Sequence, residues 1–211
     1  MGQFVLSDIE KDALNEIGNI GAGNASTALA KMTNRAIELT VPETIVVPFE
    51  ELPLVAAAEP EKILASAYVA FEGDAAGCLL LLFSAEQAES LFALLGLDVP
   101  DDVMVLSEIQ RSAVSEAGNI IASSYLHALG KFTGLRLLPV PPGVAVGMGG
   151  AILETIAVHL GRFDDMGLVM QVHIHSRGEK LGLQLLMIPR LDAFGTILGA
   201  LGLDVPKKKT G

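Results

Sequence analysis

The chain has 211 residues, half of them apolar, and a formal charge of −11. So acidic a surface excludes nucleic acid as a partner, because a phosphate backbone needs a basic face. The apolar runs are of strand length, ending at Asp74, Ser84 or Glu154, and fall short of the roughly 18 residues a membrane helix needs.

The N-terminus lacks the basic start and long apolar stretch of a secretory signal. Cys78 is the one cysteine and sits in the run AAGCLLLLF. It forms no disulfide within the chain and reads as a small buried apolar side chain. The expectation is a cytoplasmic protein with no membrane insertion, ending in a solvated tail at Lys207 to Lys209.

The first predicted element is a helix over residues 8–32. Ser7-x-x-Glu10 at its start has the form of a capping box. A strand is expected over 36–47, then two strands over 63–71 and 76–83 joined at Glu72-Gly73-Asp74. A helix over 85–95 follows. The pattern then repeats. Leu6 to Ile20 reads LSDIEKDALNEIGNI, and Leu106 to Ile120 reads LSEIQRSAVSEAGNI, with eight of fifteen positions identical. Both halves also end in GLDVP, at Pro100 and Pro206.

The second half predicts a helix over 108–132 behind Ser107-x-x-Gln110, stopped by Gly134. A strand over 135–140 follows, then a Gly-rich stretch leading into a helix over 151–160. Strands over 168–175 and 181–188 and a helix over 191–201 complete it. Residues 1–211 thus read as a single domain of two repeats, about 6–100 and 106–206. The fold class is α+β: a layered, pseudo-symmetric arrangement with a mostly antiparallel sheet packed against long helices.

Asp12, Glu16 and Asn19 fall within about 60° of one another on the first helix. Ser112, Glu116 and Asn119 hold the same places on its repeat. The buried face is expected at Ile9, Ala13, Ile17 and Ile20, and at Ile109, Ala113, Ala117 and Ile120. The polar stripe should therefore face solvent or a partner. Gly18, Gly21 and Gly23 each cost about 0.8–1 kcal/mol in a helix interior. Either Gly18 and Gly118 permit close packing, or Gly23 and Ser123 keep the stripe low so that a partner can approach. A lone Glu-x-x-Asn is usually solvated surface; its duplication argues for a site. An amide can orient a water with one donor and one acceptor. A carboxylate can pair with a partner's Lys or Arg. Phosphoryl transfer suits such a site, since positioning and charge neutralisation supply most of that catalysis.

The spacings Asp12-x-x-x-Glu16-x-x-Asn19 and Ser112-x-x-x-Glu116-x-x-Asn119 resemble the signature of the CheC/CheX/FliY chemotaxis phosphatases, and the GNIGAGN run and two-copy layout resemble the CheC type. That signature closes with a Pro 22 residues after the Asn. Pro141 stands there in the second repeat, and Pro42 lies one residue beyond in the first. The resemblance implies hydrolysis of the aspartyl-phosphate of a CheY response regulator at two sites. Asn19 and Asn119 would orient water, and Glu16 and Glu116 would pair with a regulator lysine. Asp12, Ser112, Gly23, Ser123, Pro42 and Pro141 would shape docking. No cofactor of its own is implied, since Mg²⁺ belongs to the regulator. The deamidase CheD is a further implied partner, placed on the helix after the second Pro. Residues 143–151 depart from that pattern, with no acidic side chain before Glu154.

Other candidates are weaker. Gly18 to Gly23 follows no strand, so it does not read as a phosphate loop. His173 and His175 share a strand face but lack a third ligand nearby. The alternative function is a non-catalytic module or adaptor for phospho-CheY or the flagellar switch.

Overall fold

The computed structural model describes residues 7–52, 55, 61–160, 166–176, 179–190 and 193–202. The helices are α1 (Asp8–Thr33), α2 (Ala85–Leu95), α3 (Glu108–Thr133), α4 (Gly149–Leu160) and α5 (Ala193–Ala200). The strands are β1 (Glu38–Pro48), β2 (Ile63–Gly73), β3 (Gly77–Ser84), β4 (Leu137–Pro139), β5 (Gly143–Met148), β6 (Met166–Ser176) and β7 (Glu179–Pro189). The Lys207 to Lys209 tail and residues 203–206 of the second GLDVP ending lie outside the described residues, as do residues 191 and 192 of the expected closing helix.

Local chemistry sets the helix ends. Ser7, Ser84 and Ser107 each cap a helix through a reciprocal box with Glu10, Gln87 and Gln110. Asn34, Gly96 and Gly134 terminate α1, α2 and α3 in the left-handed conformation. Asn and Gly are the residues that tolerate it.

The strands form one antiparallel sheet in the order β1-β6-β7-β3-β2-β4, with β5 also on β2. This order interleaves the repeats. The first repeat's β1 pairs with β6 of the second, and the second repeat's β4 and β5 pair with β2 of the first. The two hairpins meet in the middle, with Cys78 opposite Ile188 and Leu80 opposite Leu186.

Alternation along β3 and β7 gives the sheet two buried faces. Leu79, Leu81, Phe83, Leu183 and Leu185 pack beneath the long helices, together with Leu14, Ile17, Val114 and Leu126. Cys78, Leu80, Leu82 and Leu186 face the other way and meet Ile152, Leu153 and Ile156 of α4. Cys78 is fully buried, and that burial pushes its thiol pKa up.

Three expectations need correction. The Gly-rich stretch before α4 is a strand, because Gly143 to Met148 complete the edge along β2. The strand expected over 135–140 shortens to Leu137–Pro139, where consecutive prolines, Pro141 and Pro142, interrupt it. Ile9 and Ile109 are not core residues; they are 77% and 68% exposed. Along the two helices burial begins only at Leu14 and Val114; among the described residues the first turn of α1 holds no buried side chain, and that of α3 touches the Asp98 carbonyl through Gln110 at 2.9 Å.

The helix glycines divide by environment. A Cβ on Gly18 would meet Val41 Cγ1 at 3.0 Å, and one on Gly21 would meet the Tyr125 Cα at 3.0 Å. A Cβ on Gly118 would collide with the Ala67 methyl, whereas Gly23 has open space. These contacts let α1 lie against both β1 and α3, and α3 against β2. Gly118→Ala should lower stability by about 1–3 kcal/mol through overpacking. Gly23→Ala should raise it by about 0.8 kcal/mol through helix propensity. Urea unfolding midpoints of the two variants check both signs.

Candidate functional site

The stripe on α1 lies where its helical spacing puts it. Asp12, Glu16, Asn19 and Gly23 are exposed, while Leu14, Ile17, Gly18 and Gly21 face the core. On α3, Ser112 and Glu116 are exposed, and Asn119 and Ser123 are half-buried. Pro42 and Pro141 are exposed on the segments that follow each helix. The repeat thus places two Glu/Asn pairs at equivalent points of two rigid helices. Glu16 and Glu116 have no ion-pair or hydrogen-bond partner among the described residues. Each presents a carboxylate that a cation from another molecule could meet.

The two Asn side chains are held differently. The Asn19 amide N–H donates to the Asn15 carbonyl at 3.0 Å, one turn back. Its Oδ1 accepts the Val41 backbone N–H at 3.0 Å. That bond crosses from helix to strand and fixes the plane of the carboxamide. It exists because β1 bulges: Thr40 pairs with His173 and Glu43 with Gln171, leaving Val41 and Pro42 opposite Val172 alone. Pro42 has no N–H for the ladder, so a bulge is where a strand accommodates it.

The second repeat builds the same irregularity. Pro139 pairs with Phe71, the Val140 N–H donates to the Ala70 carbonyl, and Gly143 pairs with Tyr68. Pro141 and Pro142 are therefore left opposite Val69. Position 141 is the counterpart of Val41, and as proline it offers no N–H. Asn119 Oδ1 instead accepts the Ser123 hydroxyl at 3.2 Å. In the first repeat, Gly23 stands at that position.

Sequence spacing did not reveal Val41 as a partner of Asn19, because a backbone donor leaves no mark in residue type. The proline at 42 was the usable signal, since it demanded an irregular strand. The exposed Ile9 and Ile109, one turn before Asp12 and Ser112, were also missed as surface. Gly18 to Gly23 lies within α1, as expected. The His173 and His175 rings stack edge to face with centroids 6.3 Å apart. Among the described residues, no group of three or more His, Cys, Asp or Glu is placed to hold a metal, and no helix is long and apolar enough to cross a membrane.

Removing Asn19 orphans the Val41 N–H beside a buried side chain. An unsatisfied donor of that kind costs about 1–3 kcal/mol. Asn19→Ala should therefore destabilise the protein by about 1–2 kcal/mol. Asn119→Ala, which strands only a rotatable hydroxyl, should be near neutral. Thermal and urea unfolding of the two variants measure the difference.

A model of the CheC-like family matches residues 9–46 and 109–146, the stretches carrying both Glu/Asn pairs and both bulges. The CheY-P phosphatase CheC of Bacillus subtilis (strain 168) is 33% identical over 205 residues, covering 95% of this chain and 97% of that protein. The flagellar motor switch phosphatase FliY of the same strain is 31% identical over 139 residues, covering 66% of this chain and 36% of that protein. Among solved structures, Thermotoga maritima FliY superposes with a TM-score of 0.72 at 21% identity, covering 94% of this chain and 98% of that one. The FliM-SpeE complex from H. pylori gives 0.65 at 12% identity, covering 94% and 97%. These structural likenesses show a shared fold, while the sequence match runs nearly end to end and takes in both repeats. The chain belongs to the CheC-like family.

Proposed function

We propose that this protein hydrolyses the aspartyl-phosphate of a CheY-type response regulator at two helical sites. The observation that carries this reading is the duplicated Glu/Asn pair, which stands at equivalent points on the faces of α1 and α3 turned away from the core. Its relatives bear the names CheY-P phosphatase and flagellar motor switch phosphatase.

In this reading the exposed Glu16 and Glu116 pair with a lysine of the regulator. That contact docks the phosphorylated aspartate beside Asn19 or Asn119. The carboxamide holds a water in line with phosphorus, donating through its free N–H and accepting at Oδ1. The water oxygen forms the new bond to phosphorus as the bond to the aspartyl oxygen breaks. Inorganic phosphate and the regulator's free carboxylate result, and the water's proton leaves with the phosphate. The Mg²⁺ carried by the regulator would supply charge neutralisation at the phosphoryl oxygens. An amide has no useful pKa, so its contribution is placement, the larger part of catalysis in phosphoryl transfer.

Ile9 and Ile109 supply the apolar part of the docking surface. They are large, exposed and adjacent to each stripe. CheD would meet the helix after the second proline, here α4, but residues 143–148 form β5 and no acidic side chain precedes Glu154, so this chain departs from that contact.

A second reading has one observation in its favour: Asn19 braces β1, so one Asn has a structural use of its own. On that reading the protein binds phospho-regulator, or joins the flagellar switch, without catalysis. Regulator-phosphate decay separates the two. The phosphatase reading expects acceleration by the protein and loss of about 10²-fold or more in the Asn19→Ala/Asn119→Ala double variant. Tight regulator binding with an unchanged decay rate would establish the second reading. Ile9→Ser/Ile109→Ser should leave stability within about 0.5 kcal/mol, as for exposed positions, and raise KM for the phosphorylated regulator.

A further inference from the structure

The two repeats satisfy the same acceptor by different means. In the first, Asn19 Oδ1 takes the Val41 N–H, and position 23 is glycine with no side chain to offer. In the second, position 141 is proline with no N–H, and Asn119 Oδ1 takes the Ser123 hydroxyl. The bulge itself is common to both, with two residues opposite Val172 in one and opposite Val69 in the other. Donor lost and donor gained therefore form a reciprocal pair: Val41 with Gly23, and Pro141 with Ser123.

We propose that Ser123 is a positioning residue of the second site, performing for Asn119 through its hydroxyl what the Val41 N–H performs for Asn19. This rests on the phosphatase reading given above and assigns Ser123 a role inside the protein in place of contact with the regulator.

The physical reason lies in the geometry of an orienting amide. A carboxamide on a helix surface rotates about its terminal torsion, and the two-fold character of that torsion leaves a broad range of orientations. A water held by such a group is held no better than the amide plane. One fixed donor to Oδ1 removes that freedom and leaves the second lone pair and the N–H group for the water. In the first repeat the donor is backbone and cannot move. In the second it is a hydroxyl on the same helix face, one turn along, and it occupies one lone pair while the other stays open.

The test isolates the second site in an Asn19→Ala background and measures steady-state dephosphorylation of a phosphorylated CheY-type regulator. Ser123→Ala should lower kcat roughly five-fold, on the scale of one ordinary hydrogen bond, with KM and melting temperature unchanged. Ser123→Thr keeps the hydroxyl and should retain the parent kcat. Ser123→Gly/Pro141→Val recreates the first repeat's arrangement and should recover most of the lost rate. A Ser123→Ala variant with the kcat of its parent overturns the proposal, and so does a change confined to KM, which would return Ser123 to docking. The Asn19→Ala/Asn119→Ala control keeps the two readings apart. If that double variant retains full activity, the Asn reading falls as a whole. If it is inactive while Ser123→Ala is indistinguishable from its parent, only the role of Ser123 falls.

Discussion

Each repeat places its first strand on the hairpin of the other, and the rest of the molecule depends on that exchange. β1 closes against β6, and β4 with β5 closes against β2. Without the partner repeat, either hairpin would expose an unpaired edge and an apolar face. Strand pairing and burial of both sheet faces therefore come as one event for both halves, which is why the halves form a continuous sheet with Leu80 opposite Leu186 at its centre.

The exchange also sets where the long helices go. Each must lie on the sheet and close to the strand that follows it, and glycine is what permits the distance. Gly18 faces Val41, Gly118 faces Ala67, and Gly21 faces the backbone of Tyr125. The close approach brings Tyr125 under full burial, where its phenol pKa is pushed up and its hydroxyl has no partner among the described residues. A helix held this tightly is a rigid platform. Its outer stripe carries little conformational freedom of its own, as a site acting through placement requires.

The same strand segment serves the sheet and, on the proposed function, the site. A proline at 42, and the pair at 141 and 142, break the ladder in each repeat, in the first repeat directly beside Asn19. In the first repeat the freed N–H is captured by Asn19, so the polar stripe is tied into the fold. In the second, Asn119 has no hydrogen bond to a strand among the described residues, and its bond to Ser123 is local to the helix. Two segments alike in sequence and topology thus differ in how firmly they grip the side chain that matters.

Much was legible without coordinates. Capping boxes at Ser7 and Ser107 and the stop at Gly134 marked the long helices to within a residue. The fifteen-residue repeat implied two like halves, and helical spacing alone aligned Glu16 with Asn19 on an outward stripe. These features are local or periodic, so residue type and separation encode them. Spacing failed at Ile9 and Ile109, because burial of a helix turn depends on whether another element reaches it. It failed at Gly143 to Met148, because a glycine-rich edge strand is made by the neighbour it pairs with. It could not show that Val41 holds Asn19 while Ser123 holds Asn119. Those bonds join or separate residues according to the path of a bulged strand, and only the assembled sheet decides that path.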